Sequence, residues 1–471
     1  MTKINWLEEV EKRKDEMIKD TQEFLRINSV LNEEEATEEA PFGKGIEEAL
    51  QFLLQQGEKD GFLTKNVDHY AGHIEHGQGK ELVGILCHVD VVPEGDGWTD
   101  DPFSATIRDG KIFARGAMDD KGPTMAAYYA LKIVKELDLS LSKRVRIIIG
   151  TDEESNWQCV EHYFKHEEMP TMGFAPDADF PIIYAEKGIG DIQLQQKLDL
   201  ENTASQVTLL TFDAGRRLNM VPDHAKATLE VTDEMDSITH AFNTYIGEND
   251  IEGGYTKEGN VITLSIKGVS AHAMEPDNGV NAGYHLASFL HSLALDGKGK
   301  GYVKFISEML AFDSRGKNLE IAFHDDISDD LTINTGVFHY VNEASIGALG
   351  VNIRFPVTCD TDAVKHKLER IAEEYGFDLN KFRVSAAHHV PQDHELIQTL
   401  QRVYQEQTGE EPKLLSIGGG TYARSLEAGV AFGPLFPGRE DVAHQKDEYI
   451  VIEDLVKATA IYAQAIYELA K

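Results

Sequence analysis

The sequence has few cysteines for its length. Only three occur in 471 residues, Cys87, Cys159 and Cys359, and no two of them stand in CxxC spacing. An odd and widely scattered trio argues against a disulfide framework and favours a reducing compartment. We therefore interpret all three cysteines as packing residues.

Positive charge and long apolar runs are also scarce. Lysine and arginine number 45 against 81 aspartates and glutamates, a net charge of −36, which opposes binding to nucleic acid and to anionic membrane surfaces. No apolar stretch approaches the roughly 20 residues that cross a bilayer. The opening segment Met1–Asn5 lacks an apolar signal core. We expect a cytoplasmic protein whose partner is a small molecule.

The apolar pattern of the first part of the chain predicts an α/β domain. Asn5 followed by Glu8 resembles a capping box, which indicates an opening helix. The further expected elements are strands over 82–92, 111–114 and 144–150 and a helix over 123–137. Strands that alternate with helices imply a mostly parallel sheet flanked by helices.

The middle of the chain has a different pattern, with short alternating segments that indicate an inserted α+β domain. Examples are residues 206–212, 225–231, 260–267 and 349–355. The α/β pattern resumes near residue 388, with helices expected over 396–408 and 452–469. We predict a catalytic domain of residues 1–185 and 388–471 and a lid domain of residues 186–387, long enough for two lobes.

Histidine and carboxylate residues follow the predicted strands. His88 and Asp90 come at the end of an apolar run, where Asp90 can orient the imidazole of His88. Asp119 and Asp120 lie side by side in a glycine-flanked turn, where their repulsion favours a cation. A metal-bridging role for Asp119 is therefore physically reasonable.

Two adjacent carboxylates, Glu153 and Glu154, follow the strand predicted over 144–150. A carboxylate that binds metal stays ionised, whereas a free neighbour in a covered site can move a proton. We assign Glu154 as a metal ligand and Glu153 as the general base.

Two further candidate ligands, Asp177 and His444, lie in loops that follow predicted strands, the usual place of active-site loops in open α/β sheets. Two divalent ions would balance Asp119, Glu154, Asp177 and one bridging hydroxide. Imidazole and carboxylate donors favour zinc, with manganese or cobalt as alternatives.

Two motifs of the inserted domain, Asn219–Asp223 and Gly268–Ala273, complete a resemblance that spans nearly the whole chain. The sequence resembles the cocatalytic-metal peptidases that include aminoacylases, carnosinases, peptidase T and, most closely, bacterial dipeptidase V-like (Xaa-His dipeptidase) members. The resemblance implies that His88, Asp119 and Asp177 hold one metal and that Asp119, Glu154 and His444 hold the other. It also implies a supporting role for Asp90, Glu153 as base, and a cis peptide bond after Asp119.

The resemblance further implies roles for residues outside the metal set. His272 is expected to stabilise the oxyanion, with Asn219 as a second donor, and Arg354 to pair with a substrate carboxylate. Backbone amides at the start of a helix bind anions, so we expect Gly419, Gly420 and Thr421 to hold the substrate's carboxylate end.

The predicted function is therefore a dinuclear metallo-dipeptidase acting on unblocked dipeptides, including Xaa-His and β-alanyl types. The alternatives are an N-acyl amino acid deacylase or desuccinylase with the same chemistry, and a catalytically silent binding protein. Because dipeptidase V-like members have a long lid and act as monomers, we expect a monomer.

Overall fold

The structure, a computed structural model, describes residues 4–197 and 205–471. We expect no signal peptide at Met1–Asn5, and residues 1–3 of this segment lie outside the described part. The helices are α1 (Trp6–Glu11), α2 (Lys14–Leu25), α3 (Lys44–Lys59), α4 (Lys121–Glu136), α5 (Gln158–His166), α6 (Met235–Glu248), α7 (Ala282–His291), α8 (Gly297–Phe305), α9 (Thr361–Glu374), α10 (Glu395–Thr408) and α11 (Ile452–Ala470). Short 3₁₀ helices lie at Glu33–Glu35, Pro276–Asn278 and Tyr422–Ser425, and a π-helical turn at Ile306–Leu310.

The strands of the first 200 residues are β1 (Leu63–Val67), β2 (Ala71–Gly77), β3 (Leu82–His88), β4 (Thr106–Arg108), β5 (Lys111–Phe113), β6 (Arg144–Gly150), β7 (Met172–Ala175), β8 (Ala178–Asp179), β9 (Ile182–Glu186) and β10 (Gly188–Gln196). The later strands are β11 (Val207–Ala214), β12 (His224–Val231), β13 (Glu252–Glu258), β14 (Val261–Lys267), β15 (His324–Asp325), β16 (Asp329–Asp330), β17 (Thr332–Val341), β18 (Ile346–Phe355), β19 (Phe377–Ser385), β20 (His388–His389), β21 (Leu414–Ile417), β22 (Gly429–Ala431), β23 (Pro434–Leu435) and β24 (Tyr449–Val451).

The chain divides into two compact units. The first comprises residues 1–184, 389–415 and 421–471, and the second comprises residues 185–388 and 416–420.

The first unit is built on a nine-stranded sheet of order β1-β2-β6-β3-β7-β22-β9-β20, with β21 paired to β9. Its four central strands, β6, β3, β7 and β22, are parallel, and β1, β2 and β9 pair antiparallel. Helix α11 packs on α4, and both helices are buried along most of their length. A parallel sheet covered by apolar helices confirms the predicted α/β class.

The second unit is built on one antiparallel sheet of order β13-β14-β12-β11-β17-β18-β10-β19. Two four-stranded halves meet where β11 pairs with β17 over residues 211–214. Strand β12 alternates buried and more exposed positions along its length, as expected where one face of a sheet packs on helices. A single apolar core, which includes Phe212 and Phe338, runs through this unit.

Two expected elements differ from the structure at their ends. The opening helix divides into α1 and α2 because Arg13 leaves the helical conformation, and its guanidinium contacts Glu9 and Glu136. The strand expected over 82–92 ends at His88, where its pairing with β6 ends. Among the described residues, no helix has both the length and the apolar character needed to span a bilayer.

Candidate metal centre

Three neighbouring parallel strands of the first unit end beside one another. Strand β3 ends at His88, β6 ends at Gly150 shortly before Glu153, and β7 ends at Ala175 shortly before Asp177. Since the carboxyl ends of parallel strands lie at one edge of a sheet, the loops that follow them meet there. This edge brings together five predicted ligands that are far apart in sequence.

The first group consists of His88, Asp119 and Asp177. His88 is completely buried, and its Nε2 lies 3.0 Å from Oδ1 of Asp119 and 3.7 Å from Oδ2 of Asp177. One imidazole nitrogen and two carboxylate oxygens face a common point. Such a donor set suits zinc, manganese or cobalt.

The second group consists of Asp119, Glu154 and His444. Nε2 of His444 lies 2.9 Å from Oδ2 of Asp119 and 2.9 Å from Oε1 of Glu154. The loop that carries His444 reaches this position with His444 in a left-handed conformation, at a φ of 62°.

Asp119 belongs to both groups and uses a different oxygen in each. Its Oδ1 faces His88, whereas its Oδ2 faces His444. The peptide bond between Asp119 and Asp120 is cis, which confirms that prediction. A carboxylate with its two oxygens directed at two donor groups has the geometry of a bridging ligand.

Asp90 contacts both groups through two different atoms. Its backbone carbonyl lies 3.0 Å from Nδ1 of His88, nearer than its carboxylate Oδ1 at 3.6 Å. A carbonyl can only accept a hydrogen bond, so Nδ1 of His88 carries the proton and Nε2 faces Asp119 and Asp177. Carboxylate Oδ2 of Asp90 accepts a hydrogen bond from the backbone N–H of Glu154 at 2.9 Å.

The carboxylates of the centre lie close together, and bound protons offset their negative charge in the absence of a cation. Hydrogen bonds to Asp119 and Glu154 raise the pKa of His444 to about 10. Burial raises the pKa of Asp177 and of Glu154, and the charge of Asp119 raises both further. Metal ligands must lose their protons to bind, so cation binding here is expected to release protons.

Glu153 differs from its neighbour Glu154 in its environment. Burial raises the pKa of Glu153 to about 8, and the charges of Glu154 and Asp119 contribute in the same direction. Neither metal-binding group includes Glu153. A carboxylate with a raised pKa beside a metal-binding group is suited to exchange protons near neutral pH.

Tyr422, which we did not single out from the sequence, forms a wall of the centre. Its buried ring stands edge-on to the rings of His88 and Trp157, with centroid distances of 5.9 Å and 5.5 Å. Its hydroxyl oxygen lies 3.1 Å from the sulfur of Cys159. A Cβ atom at Gly150 would lie 1.9 Å from that hydroxyl oxygen. The end of β6 therefore requires glycine beside this tyrosine.

A buried ion pair between Arg115 and Glu448 supports the centre and was also missed. Their side chains are 2% and 0% exposed, and Nη1 of Arg115 lies 2.5 Å from Oε2 of Glu448. The Glu448 carboxylate accepts hydrogen bonds from the backbone N–H groups of Gly116, Met118 and Asp119 at 2.8–3.2 Å. The guanidinium of Arg115 also donates to the backbone carbonyls of His444 and Gln445. The pair therefore fixes the loops that carry Asp119 and His444.

Replacement of Arg115 by methionine is expected to destabilise the first unit by about 3–5 kcal/mol, because it leaves a buried carboxylate without its cation. Metal affinity should fall by about 10–100-fold, since the loops of two ligands lose their support. Denaturant unfolding of chelated protein and metal titration measure these effects. Arg108→Met, which breaks a surface pair with Asp100, is the matched control and should cost at most about 1 kcal/mol. Equal losses in the two variants would contradict the prediction.

Other predicted site residues lie in the second unit, where His272 and Asn219 are neighbours. A backbone bridge joins Met220 to His272, and the N–H of Ala273 donates to the carbonyl of Asn219 at 2.9 Å. Nδ1 of His272 accepts a hydrogen bond from the N–H of Met274 at 3.2 Å. Burial lowers the pKa of His272, and the charge of Arg354 adds to this shift, so both favour the neutral imidazole.

Arg354 lies on β18 and contacts the glycine-rich segment. Its guanidinium is buried and donates to the side chain of Asn352 at 2.8 Å and to the carbonyl of Gly418 at 2.9 Å. Gly419 and Gly420 belong to the same unit as Arg354, and Thr421 belongs to the first unit. The helix expected to begin at this segment is only a four-residue 3₁₀ helix, Tyr422–Ser425, so the prediction of a longer helix there is wrong.

This donor set, at the carboxyl edge of a largely parallel sheet, is that of a metallopeptidase, a class of hydrolase. The chain belongs to peptidase family M20/M25/M40, whose sequence model matches residues 84–468. The resemblance noted from the sequence is therefore confirmed.

Close relatives support the same assignment, and a solved structure shares the fold. The chain is 56% identical over 468 residues to "Putative dipeptidase YtjP" of Bacillus subtilis (strain 168), covering 99% of this chain and 100% of that protein. It is 43% identical over 465 residues to a "Putative dipeptidase" of Staphylococcus aureus (strain MRSA252), covering 98% and 99%. The fold matches aminopeptidase PepT from Bacillus cereus ATCC 10987 at a TM-score of 0.57 and 16% identity, covering 97% and 99% of the two chains.

Proposed function

We propose that the protein is a dinuclear metallo-dipeptidase that hydrolyses unblocked dipeptides, including Xaa-His and β-alanyl types. The observation that carries this proposal is the position of Asp119, whose two oxygens face two separate His and carboxylate groups. The names of the relatives, "Putative dipeptidase", support the substrate class.

Two divalent ions fit the residues present, with zinc favoured and manganese or cobalt as alternatives. His88, Asp119 and Asp177 would hold one ion, and Asp119, Glu154 and His444 the other. Two imidazole nitrogens and three carboxylates give a formal charge of −3, which two cations and one further anion bring near neutrality. When bound, the two ions supply Lewis acidity that polarises the scissile carbonyl and acidifies the attacking water.

The proposed role of Glu153 is proton transfer. Its carboxylate takes a proton from the attacking water and returns it to the nitrogen of the leaving amine, so one peptide bond breaks and one water is consumed. The burial that raises the pKa of Glu153 supports this assignment because it favours proton uptake by the carboxylate. Asp90 holds His88 and the backbone of Glu154 in position.

The proposed roles of residues in the second unit rest on the family resemblance. A neutral His272 donates a hydrogen bond to the developing oxyanion, with Asn219 as a second donor. The guanidinium of Arg354, a group that recognises carboxylates with two parallel hydrogen bonds, pairs with the substrate carboxylate. The segment Gly419, Gly420 and Thr421 contributes backbone donors to the same carboxylate.

The proposed organisation is a catalytic domain of residues 1–185 and 388–471 with a lid domain of residues 186–387, acting as a monomer in the cytoplasm. The free thiols of Cys87, Cys159 and Cys359 support a reducing compartment. The net charge of −36 supports self-repulsion between copies.

A matched substrate panel tests the proposed function. The metal-loaded protein is assayed with a set of free dipeptides, including Ala-His and β-Ala-His, and with the N-acetyl and N-succinyl forms of the same compounds. The proposal predicts that free dipeptides have the higher kcat/KM, because the predicted activity needs an unblocked amino end. A preference for the acylated forms would instead identify a deacylase. Failure to hydrolyse any compound of the panel would overturn the enzymatic proposal.

A further inference from the structure

We propose a third metal site in the first unit, formed by Asp68, His162 and His166, which would bind a zinc-like transition metal. One ligand atom from each residue lies within 4.8 Å of the other two. The site shares no residue with the proposed dinuclear centre. Asp68 follows β1, and the two histidines belong to α5.

The two histidines have the spacing that places ligands on one face of a helix. Residues four apart are neighbours on the helix surface, and the ring centroids of His162 and His166 lie 4.3 Å apart. Nε2 of His162 lies 2.9 Å from Oδ2 of Asp68. The carboxylate therefore already faces the nitrogen with which it would share a metal ion.

The hydrogen bond of His166 fixes which of its nitrogens can bind a metal. Its Nδ1 lies 2.9 Å from the backbone carbonyl of His162, and because a carbonyl only accepts, Nδ1 carries the proton. In the neutral ring Nε2 then has the free electron pair. Metal-binding histidines are commonly oriented through this kind of contact.

The elements that carry the three ligands are held in place by other contacts. The ring of His162 stacks on Tyr70 at 4.5 Å. The next residue of α5, Tyr163, contacts Nδ1 of His73 on β2 through its hydroxyl at 2.9 Å, in a buried position. In the turn between β1 and β2, the N–H of His69 donates to the side chain of Asn66 at 2.7 Å. Because the fold already orders these elements, metal binding would require little further loss of conformational entropy.

The donor set selects the class of metal. Two imidazoles and one carboxylate suit zinc, nickel or copper, whereas magnesium and calcium prefer sites made of oxygen. A water molecule would complete a tetrahedral shell around zinc. Such an ion would join the turn after β1 to the last turn of α5.

Zinc counting tests the site. Full-length protein is stripped with chelator and titrated with Zn²⁺, and native mass spectrometry and calorimetry count the bound ions. The variants are His166→Ala and Asp68→Asn, with His240→Ala, an exposed histidine on α6, as the matched control. The expected result is that the wild type and His240→Ala each bind one more zinc than the two site variants. A parallel titration with Mg²⁺ should show no such difference.

The same zinc count in all four proteins would overturn the proposal. The difference of one ion is expected whether or not the dinuclear centre binds, so failure of the proposed function would be distinguishable. Asp68 is 67% exposed, so Asp68→Asn decides the result if circular dichroism shows that His166→Ala does not fold.

Discussion

Replacement of Asp119 by alanine is expected to remove two metal ions per chain and to lower kcat/KM by about 10³-fold or more. Its two oxygens face His88 and His444 separately, so each group of three ligands loses one member. Metal ions typically contribute several kcal/mol to the stabilisation of such a transition state, and each 1.36 kcal/mol corresponds to a factor of ten in rate. Elemental analysis after gel filtration and peptidase assays measure the two effects.

Asp100→Ala is the matched control for that variant. Asp100 lies in the same unit, half exposed, and pairs with Arg108 at the surface. It should keep the metal content and activity of the wild type. An Asp119→Ala protein that retains both ions would show that Asp119 does not bridge, even if its activity were reduced.

The elements that the sequence predicts well are those whose signal is local. Strand β6 has the predicted bounds, and α10 and α11 lie within one residue of theirs at each end, because an apolar pattern with clear ends determines them. The strand expected over 82–92 is too long for a non-local reason. Val89 still donates to the carbonyl of Gly150 at the end of β6, but Val91 donates to the carbonyl of Ser29 instead. The same apolar pattern continues past the end of the pairing.

The predicted ligands came from residue type, position after strands and family resemblance, and the structure brings all five together. The supporting residues carry no comparable signal. Arg115 and Glu448 are 333 positions apart, and a lone arginine or glutamate in a loop is usually solvated. Only the folded chain shows that both are buried and that their loops carry Asp119 and His444. The one sequence signal for their role is that Arg115 lies four residues before Asp119 and Glu448 four residues after His444.

The glycine-rich segment shows the opposite error, a local pattern interpreted too strongly. Glycines followed by Thr421 and Tyr422 suggested the start of a helix. Tyr422 instead turns inward against His88 and Trp157, and the helical conformation ends at Ser425. The buried ring of Tyr422 therefore belongs to a short 3₁₀ helix beside the candidate metal centre, not to the start of a longer helix.

Replacement of Glu153 by glutamine is expected to leave the metal content unchanged and to lower kcat by about 10²–10⁴-fold, the usual contribution of a general acid–base group. Glutamine has the same shape but cannot accept a proton from water. Glu153 lies outside both metal-binding groups, so no predicted ligand is lost. Elemental analysis and steady-state kinetics on one preparation measure both quantities.

Two further variants serve as comparisons for Glu153→Gln. Glu136→Gln makes the same change at the surface, where Glu136 pairs with Arg13, and should leave kcat unchanged. Glu154→Gln changes the adjacent carboxylate, which faces His444, and should weaken metal binding. The roles of the two glutamates therefore predict opposite results, loss of turnover with metal retained for Glu153 and loss of metal for Glu154. If Glu153→Gln lost metal, or kept more than about a tenth of wild-type kcat, which is less than the loss expected for an acid–base group, the assignment of Glu153 as base would be wrong.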